Sequence, residues 1–595
     1  MPDRPIRFLA AALGLAAVVL LALSVVPRDA IAAATLLLAG RLNEAFYELL
    51  PLFRLRLRVL ALVLIVGGTL LWRFAPAVSA WSGDTFPPLW RAVRRGPPPG
   101  DPLVRLTLLA LVAGGFLLRW HFLFDPVGFD EADSITSYGS RPLLIGLSWY
   151  SLPNNHIFHT LWMHFAWQLF GAWEWAIRLP ALVAGLILIP VTYAIGKQFY
   201  DRPTGLLAAG LVTASPWLVL YSVESRGYTI LCVLACLLWL CSRSLLRDDA
   251  WPVWCCWALV IGLGFYTIPT FLFVAAGAAL WLLLNIWDRP DPARRRFLRR
   301  GVTATAISIA LTALFYLPVL LVMGLGPLVS NPFVKPRTLS YVIERAPVSF
   351  GELIHFWTGD YPGLVTALLA AALLFGLIWR FRGNGYRVPP LLAAVFMGLL
   401  LALAQRVVPY TRVWTYLTPL AAITTAAGLA WVLGRVSTSL RLAAALSLLI
   451  ATGLGYFVWH GSVVPSRSSH PGIENIAVWL RGNIRAGDIV TCERTAIGPL
   501  SYYLRRHDYR GEIKLAPCDP VTVFYQDRDA TPSGRAFAVI AKNRQTKEKV
   551  LSTACLEARQ GSRPIVSYQR PGLSVIEFPY TQQLTYRPAP SSLLE

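Results

Sequence analysis

LVRLTLLALVAGGFLLRWHFLFDPVGFDEADS, residues 103–134, runs from an apolar stretch of 20 residues straight into three carboxylates, Asp130, Glu131 and Asp133. A helix rises about 1.5 Å per residue, so 103–122 is long enough to cross the ~30 Å hydrocarbon core of a bilayer. Working outward, stretches of similar character lie at 8–27, 58–75, 177–198, 204–221, 228–246, 252–267, 270–287, 302–322, 362–379, 388–408, 413–433 and 440–459. Together they predict an all-α polytopic membrane protein with about 13 transmembrane helices. A shorter apolar stretch, 156–171, falls in the long loop 123–176 that follows the first quoted segment.

The composition agrees. Of 595 residues 56% are hydrophobic and 14% charged, and the mean hydropathy is +0.54, whereas a soluble chain carries about a quarter charged residues. The formal charge of +22 does not imply a nucleic-acid partner, because the basic residues sit in short clusters at the ends of apolar runs. The clusters are Arg91, Arg94 and Arg95; Lys197 and Arg202; Arg243 and Arg247; Arg294, Arg295, Arg296, Arg299 and Arg300; Arg380, Arg382 and Arg387; and Arg435 and Arg441. If all are cytoplasmic, an even number of crossings separates successive clusters. The stretch 156–171 then lies at the far surface or dips in without crossing, and the run between Arg247 and Arg294 turns near Tyr266–Pro269.

Three regions follow: an N-terminal membrane extension (1–102), a transmembrane module (103–460), and a polar, Pro- and Gly-containing segment (466–595). In the first, 28–57 reads as an amphipathic surface helix. The last reads as a soluble α/β domain outside the cytoplasm, with a helix at 472–485 and strands near 487–491, 537–541 and 573–578. Its Cys492, Cys518 and Cys555 allow one disulfide and leave one thiol over. Cys232, Cys236, Cys241, Cys255 and Cys256 lie in apolar stretches without zinc-type spacing and read as small core residues.

Polar chemistry concentrates in loops on one side. Carboxylates directly after a span are costly unless they pair or work, and a partly desolvated carboxylate can take a proton from a hydroxyl nucleophile. Asp130, Glu131 and Asp133 fit that role, as they fit a solvated helix cap. Asn154-Asn155-His156-Ile157-Phe158-His159 opens the apolar stretch of the same loop, and His156 and His159 share one helical face. They suit a metal, a phosphate or the anchoring of an interfacial helix. At the junction of two later spans stands Tyr221-Ser222-Val223-Glu224-Ser225-Arg226-Gly227-Tyr228, where Glu224 and Arg226 can neutralise each other or orient a polar substrate. Further basic residues occur at Lys335, Arg337, Arg345 and His355 and in Val408-Pro409-Tyr410-Thr411-Arg412-Val413-Trp414.

These motifs come in an ordered series: Asp130-Glu131 after a span, Asn155-His156 opening a surface helix that closes with Leu169-Phe170-Gly171, Arg178-Leu179-Pro180 opening the next span, then Tyr221-Ser222-x-Glu224-x-Arg226-x-Tyr228. The series resembles the membrane-embedded C-type glycosyltransferases, in the branch of the protein O-mannosyltransferases and the lipid A aminoarabinose transferase. One departure is that many relatives have a Pro-Pro pair after the histidine, where this chain has Ile157-Phe158.

The resemblance implies a sugar on a polyprenyl phosphate as donor, approached from the outer side of a bacterial inner membrane. The acceptor would be a cell-envelope glycan, lipid or protein hydroxyl. Asp130 matches the family's general base, with Glu131 shaping the site and Glu224 as second acid. Asn155, His156, His159, Arg226, Tyr228, Tyr410, Arg412, Arg337 and Lys335 would bind substrate, the cations facing the leaving phosphate. No metal is expected for a monoester leaving group, although Asp130, Glu131, Asp133, His156 and Glu224 could form a Mg²⁺, Mn²⁺ or Zn²⁺ site. The alternatives are a transporter or flippase for lipid-linked sugars, disfavoured by spans almost free of ionisable groups, and a glycan-binding module with a membrane anchor.

Overall fold

The structure, a computed structural model, describes residues 101–329, 336–380, 386–437 and 439–465. Outside them it describes 4–27, 44–73, 472–483, 489–492, 494–506, 515–517, 535–541, 565–570 and 573–579, and the single residues 30, 76 and 470.

Every predicted span falls on a helix or on consecutive helices. Among the described residues, six helices are long and apolar enough to cross a membrane: Pro102–Phe122, Glu174–Phe199, Tyr228–Arg247, Asp291–Phe315, Thr411–Val436 and Leu440–His460. Two bent pairs raise this to eight, Arg202–Thr213 with Pro216–Ser222 (62°) and Leu339–Thr358 with Gly363–Ile378 (105°). Trp251–Thr267, Phe271–Asn285 and Pro390–Ala404 are apolar but shorter.

Local chemistry sets the helix ends. Asp101 Oδ1 accepts the Leu103 N–H at 3.0 Å just before Pro102, and Asp201 Oδ1 accepts the Thr204 N–H at 2.9 Å. Each carboxylate satisfies an amide that the first helical turn leaves open. Pro216, at the first position of its helix, sets the bend after Thr213. The loop helix Ile157–Phe170 stops at Gly171, whose φ of 82° is open to glycine at little cost.

Two segments differ from the sequence expectation. The run read as a surface helix followed by a separate span is one helix, Glu44–Arg73, which continues through Arg54, Arg56 and Arg58. These guanidiniums meet groups at the ends of other helices: Arg54 donates to Val26 O (2.6 Å), Arg58 to Ser24 Oγ (3.3 Å), and Arg56 to Leu321 O and Val322 O (3.0 and 2.7 Å). Helix C-termini carry partial negative charge, which accounts for a basic run with no acidic partner in sequence. The second segment, 323–361, read as loop, holds the 20-residue helix Leu339–Thr358. Its Glu344, Arg345 and Glu352 break the apolar run, and Arg345 pairs with Glu352 at 2.8 Å on the exposed face.

Small residues let helices approach closely, as membrane packing requires. A Cβ on Gly196 would lie 2.8 Å from Gly205 Cα, and one on Gly277 would lie 2.9 Å from Ala394 Cα. Gly428 abuts the Ala372 carbonyl, and reciprocally Gly376 abuts that of Thr424.

After the last long helix come the helices Ile473–Asn483 and Arg494–Arg506 and one five-stranded sheet. The strands are β1 (Ile489–Cys492), β2 (Leu515–Pro517), β3 (Arg535–Ala541), β4 (Ile565–Arg570) and β5 (Leu573–Pro579), in the order β2-β1-β3-β5-β4. β1 runs parallel to β2 and β3, and the β3–β5 and β5–β4 pairs are antiparallel. Cys518 and Cys555, two of the three cysteines that bear on a disulfide, lie outside the described residues.

Gly428→Leu is expected to force the Gly363–Phe375 and Thr418–Val436 helices apart at a cost of about 1–3 kcal/mol. Thermal unfolding in detergent checks it: the variant melts several degrees lower, whereas Gly114→Ala, where a Cβ meets nothing within 4 Å, melts as wild type.

Candidate active site

The site is built on a buried ion pair. Arg178, near the start of the Glu174–Phe199 helix, donates from Nε and Nη2 to Glu131 Oε1 and Oε2 at 2.9 and 2.8 Å, and neither side chain reaches solvent. The remaining Arg178 donors bond the carbonyls of Leu123, Asp125 and Pro126 at 2.7, 2.7 and 3.3 Å. Glu131 in turn accepts the Gly128 N–H at 3.0 Å and the Ser225 N–H at 2.6 Å. One pair thus ties the 123–131 segment, the start of the next long helix and the 223–227 turn together.

With Glu131 held inward, its neighbour Asp130 is turned toward the open side. Asp130 Oδ2 accepts from Arg412 Nη1 at 2.9 Å, and both side chains are partly exposed, 33% and 40%. Arg412 also lies over the Tyr410 ring, 5.0 Å from its centroid. Behind them Arg226 is buried: its Nη1 donates to Ser134 Oγ at 3.0 Å, to Asn154 O at 3.2 Å and to Asn154 Oδ1. Asn154 Nδ2 donates on to Asp133 Oδ2 at 2.7 Å and Asp130 O at 3.1 Å.

His156 completes this wall. The Gly227 N–H donates to its Nδ1 at 2.9 Å, which leaves the proton of the neutral ring on Nε2. Burial, and then Arg226, hold this imidazole well below its ordinary pKa; the same causes push His159 down to about 3. The Nε2 proton therefore faces Arg226 Nη2, 3.4 Å away: two donors share one space, and an oxygen acceptor would satisfy both. The Tyr228 ring lies edge-on to His156 at 5.2 Å and 5.8 Å from the Arg226 guanidinium carbon.

Asp130, Arg412, Tyr410, Arg226, His156 and Tyr228 therefore stand in linked contact. Glu224 adjoins them through the turn, its carbonyl accepting the Arg226 N–H at 2.7 Å. Other expected site residues are placed differently. Glu131, expected among the catalytic groups, is sealed in the ion pair with no open face. Asn155 is buried, donating to the Gly146 and Trp149 carbonyls at 2.9 Å each and accepting from Thr160 Oγ1 at 2.8 Å, so it shapes the loop instead of facing a substrate. His159 is buried in the loop helix. Arg337 is exposed over the Tyr341 ring (5.6 Å), and no contact joins it to Asp130 or Arg412 among the described residues. Lys335 lies outside them.

Sequence reasoning missed Asn154, Ser134 and Arg178. The order of motifs had marked the stretch holding Arg178, but the identity of its partner is a product of folding.

The segment after the membrane module presses on the site from behind. Tyr503 Oη accepts the Val127 N–H and donates to Glu174 Oε1, both at 3.0 Å, and Arg506 pairs with the same Glu174 oxygen. Tyr502 Oη donates to Ala172 O at 2.8 Å. A Cβ on Gly498 would lie 3.1 Å from that of Ala132, two residues from Asp130.

Among the described residues no three His, Cys, Asp or Glu side chains converge to hold a metal ion. Glu131 is committed to Arg178, and Asp133 accepts from Asn154 and from Ser137 Oγ (3.0 Å), so the oxygen-rich cluster considered from sequence is divided among other partners.

Residues 156–321 match the family described as dolichyl-phosphate-mannose-protein mannosyltransferase. No curated protein sequence matches the chain significantly. Among solved structures the chain is similar to ArnT from Cupriavidus metallidurans in the apo state, at 12% identity and a TM-score of 0.53, over 79% of this chain and 97% of that one. The same protein bound to undecaprenyl phosphate gives 12%, 0.52, 80% and 97%. At such identity the likeness is one of fold.

Arg178→Ala would strand the Glu131 carboxylate without a counter-ion and is expected to cost about 3–5 kcal/mol, seen as a large drop in melting temperature or loss of folded protein. A second expectation concerns pH. His156 and His159 have folded pKa values below the unfolded 6.5, so the unfolded chain binds more protons as pH falls under 6.5 and stability declines, by up to about 1.4 kcal/mol per pH unit for His159. Melting curves between pH 7 and pH 5 should show a smaller decline for His159→Phe than for wild type.

Proposed function

We propose that the chain is an integral membrane glycosyltransferase that moves one sugar from a polyprenyl-phosphate donor to an acceptor hydroxyl, with inversion at the anomeric carbon. The observation that carries this reading is the Asp130–Arg412 pair, a partly exposed carboxylate and cation side by side above a buried wall of donors. The fold shared with a protein solved with undecaprenyl phosphate supports the donor class.

In the reaction the acceptor oxygen bonds to the anomeric carbon, the bond from that carbon to the phosphate oxygen breaks, and the acceptor proton passes to Asp130. Polyprenyl phosphate leaves with the bonding electrons. Charge grows on its oxygens, where Arg412 and the paired donors of Arg226 and His156 Nε2 stabilise it. Glu224 binds acceptor or sugar, Tyr228 and Tyr410 supply apolar walls, and Glu131 acts as a positioning group through Arg178. His159 and Asn155 hold the loop. In this reading Arg337 and Lys335 are further phosphate contacts. No step is assigned to a metal.

In the same reading the protein sits in a bacterial inner membrane with about 13 crossings, the three apolar helices shorter than a full span and the two N-terminal helices completing the set. Residues 466–595 form an extracytoplasmic α/β domain covering the site, and the acceptor is a cell-envelope glycan, lipid or protein.

The test is purified protein in detergent with a panel of radiolabelled polyprenyl-phosphate sugars and crude envelope acceptors, following sugar release. Asp130→Asn should lower release by at least about 10²-fold while the protein stays folded and still binds the donor lipid, and Arg412→Gln should lower kcat more than it raises KM. Full activity in a folded Asp130→Asn protein overturns the assignment.

A further inference from the structure

A second feature lies at the opposite end of the bundle. The Asp291–Phe315 helix ends beside Tyr316, which packs with Tyr150 and Ile157 near the site, so its N-terminal arginines lie at the far end. Against this helix, the Trp251–Thr267 and Phe271–Asn285 helices leave a groove of about 420 Å³, lined by Trp254, Trp257, Leu283, Phe297, Val302 and Ile309 among others.

The groove opens at the surface of the bundle: Leu283, Val302 and Ile309 are 50%, 71% and 66% exposed. Its polar atoms are already bonded elsewhere. Trp254 Nε1 donates to Asp249 Oδ1 (2.9 Å), Trp257 Nε1 to Ser242 Oγ (3.1 Å) and Thr305 Oγ1 to Gly301 O (2.9 Å). Gly301 keeps the floor open, since a Cβ there would touch the Trp254 ring at 3.4 Å. What remains is an apolar trough. A helix about 10 Å across fills on the order of 120 Å³ per residue, so the trough admits no more than about one turn of a partner helix, whereas a single acyl chain is slender enough to lie in it.

The mouth of the trough is charged. Arg296 and Arg300 lie 3.5 and 3.0 Å from Asp249, and Arg294 pairs with Asp291. Arg295 and Arg299 are exposed and make no ion pair among the described residues. They share a helical face with Val302, Ala306 and Ile309, at spacings of four, three, four and three. Trp251 and Trp287, under Arg300 and Arg294 at 5.6 and 5.8 Å, mark headgroup depth. Two uncompensated cations there favour a lipid with net negative charge over a zwitterion, whose own ammonium neutralises its phosphate.

We propose that this groove is a binding site for an acidic glycerophospholipid, one acyl chain lying against Trp254 and Val302 and the phosphate held by Arg295 and Arg299. The site is separate from the transfer chemistry and does not depend on it.

The full chain would be equilibrated with vesicles of equimolar phosphatidylglycerol and phosphatidylcholine, extracted in detergent, and its retained lipid measured by native mass spectrometry. Wild type should retain phosphatidylglycerol preferentially. Arg295→Gln with Arg299→Gln should lower that retention by about 25-fold, about fivefold per arginine, and Gly301→Leu, which fills the trough and leaves both arginines, should lower it too. Equal retention of the two lipids, or retention unchanged in the double variant, overturns the site. Retention lost only in the double variant reduces it to a headgroup patch and overturns the seated chain. A dimer that holds no phosphatidylglycerol and dissociates in Gly301→Leu assigns the groove to a second copy.

Discussion

Two opposite charges, each wholly removed from solvent, hold this membrane protein's candidate site in shape. Burying Arg178 and Glu131 carries a desolvation penalty of several kcal/mol per ion, and their attraction offsets it only when every other donor and lone pair is also engaged. That condition is met: three carbonyls from 123–126 take the remaining guanidinium hydrogens, and the Gly128 and Ser225 amides take the carboxylate. Because all partners must be present together, segments from three parts of the chain are fixed as one unit. The pair is better understood as a device for geometry than as a source of stability.

The consequence falls on the residue next door. Successive positions on a helix point about 100° apart, so anchoring Glu131 inward turns Asp130 outward, toward Arg412, a residue 282 positions later. Adjacent carboxylates thereby acquire opposite environments, one sealed and one accessible. The Arg494–Arg506 helix reinforces this from the other side, where Tyr503 bridges Val127 and Glu174 and Gly498 allows contact with Ala132. The backbone carrying Asp130 is thus clamped between the membrane helices and the segment that follows them.

What was legible in the sequence follows from which constraints are local. A bilayer demands about 20 apolar residues whatever their neighbours, so the six described helices long and apolar enough to cross one could be read from composition alone. The amphipathic Leu339–Thr358 helix could not, because Glu344, Arg345 and Glu352 interrupt the apolar run. Nor could the fate of Arg56, whose partners are helix-end carbonyls more than 260 residues away. Within the site, motif order located the right stretches, yet Asn154 and Asn155 are the same residue type at successive positions. Only the fold decides that the first touches Arg226 and the second disappears into the loop. The same holds for Asp130 and Glu131.

The pairing of Asp130 with Arg412 gives the proposed reaction an internal order. A carboxylate whose oxygen is occupied by a guanidinium is a poor place for an acceptor proton to go. The donor phosphate is the stronger claimant for Arg412, since it offers more than one anionic oxygen in the geometry a guanidinium matches. A lipid phosphate arriving beside Arg226 and His156 would therefore draw Arg412 away and leave Asp130 Oδ2 open at the moment an acceptor hydroxyl needs it. Arg226 cannot move in the same way, because Ser134 and Asn154 hold it in the buried wall. In the proposed reaction the fixed cation would set where the phosphate binds, and the movable one would make the availability of Asp130 depend on the donor being present.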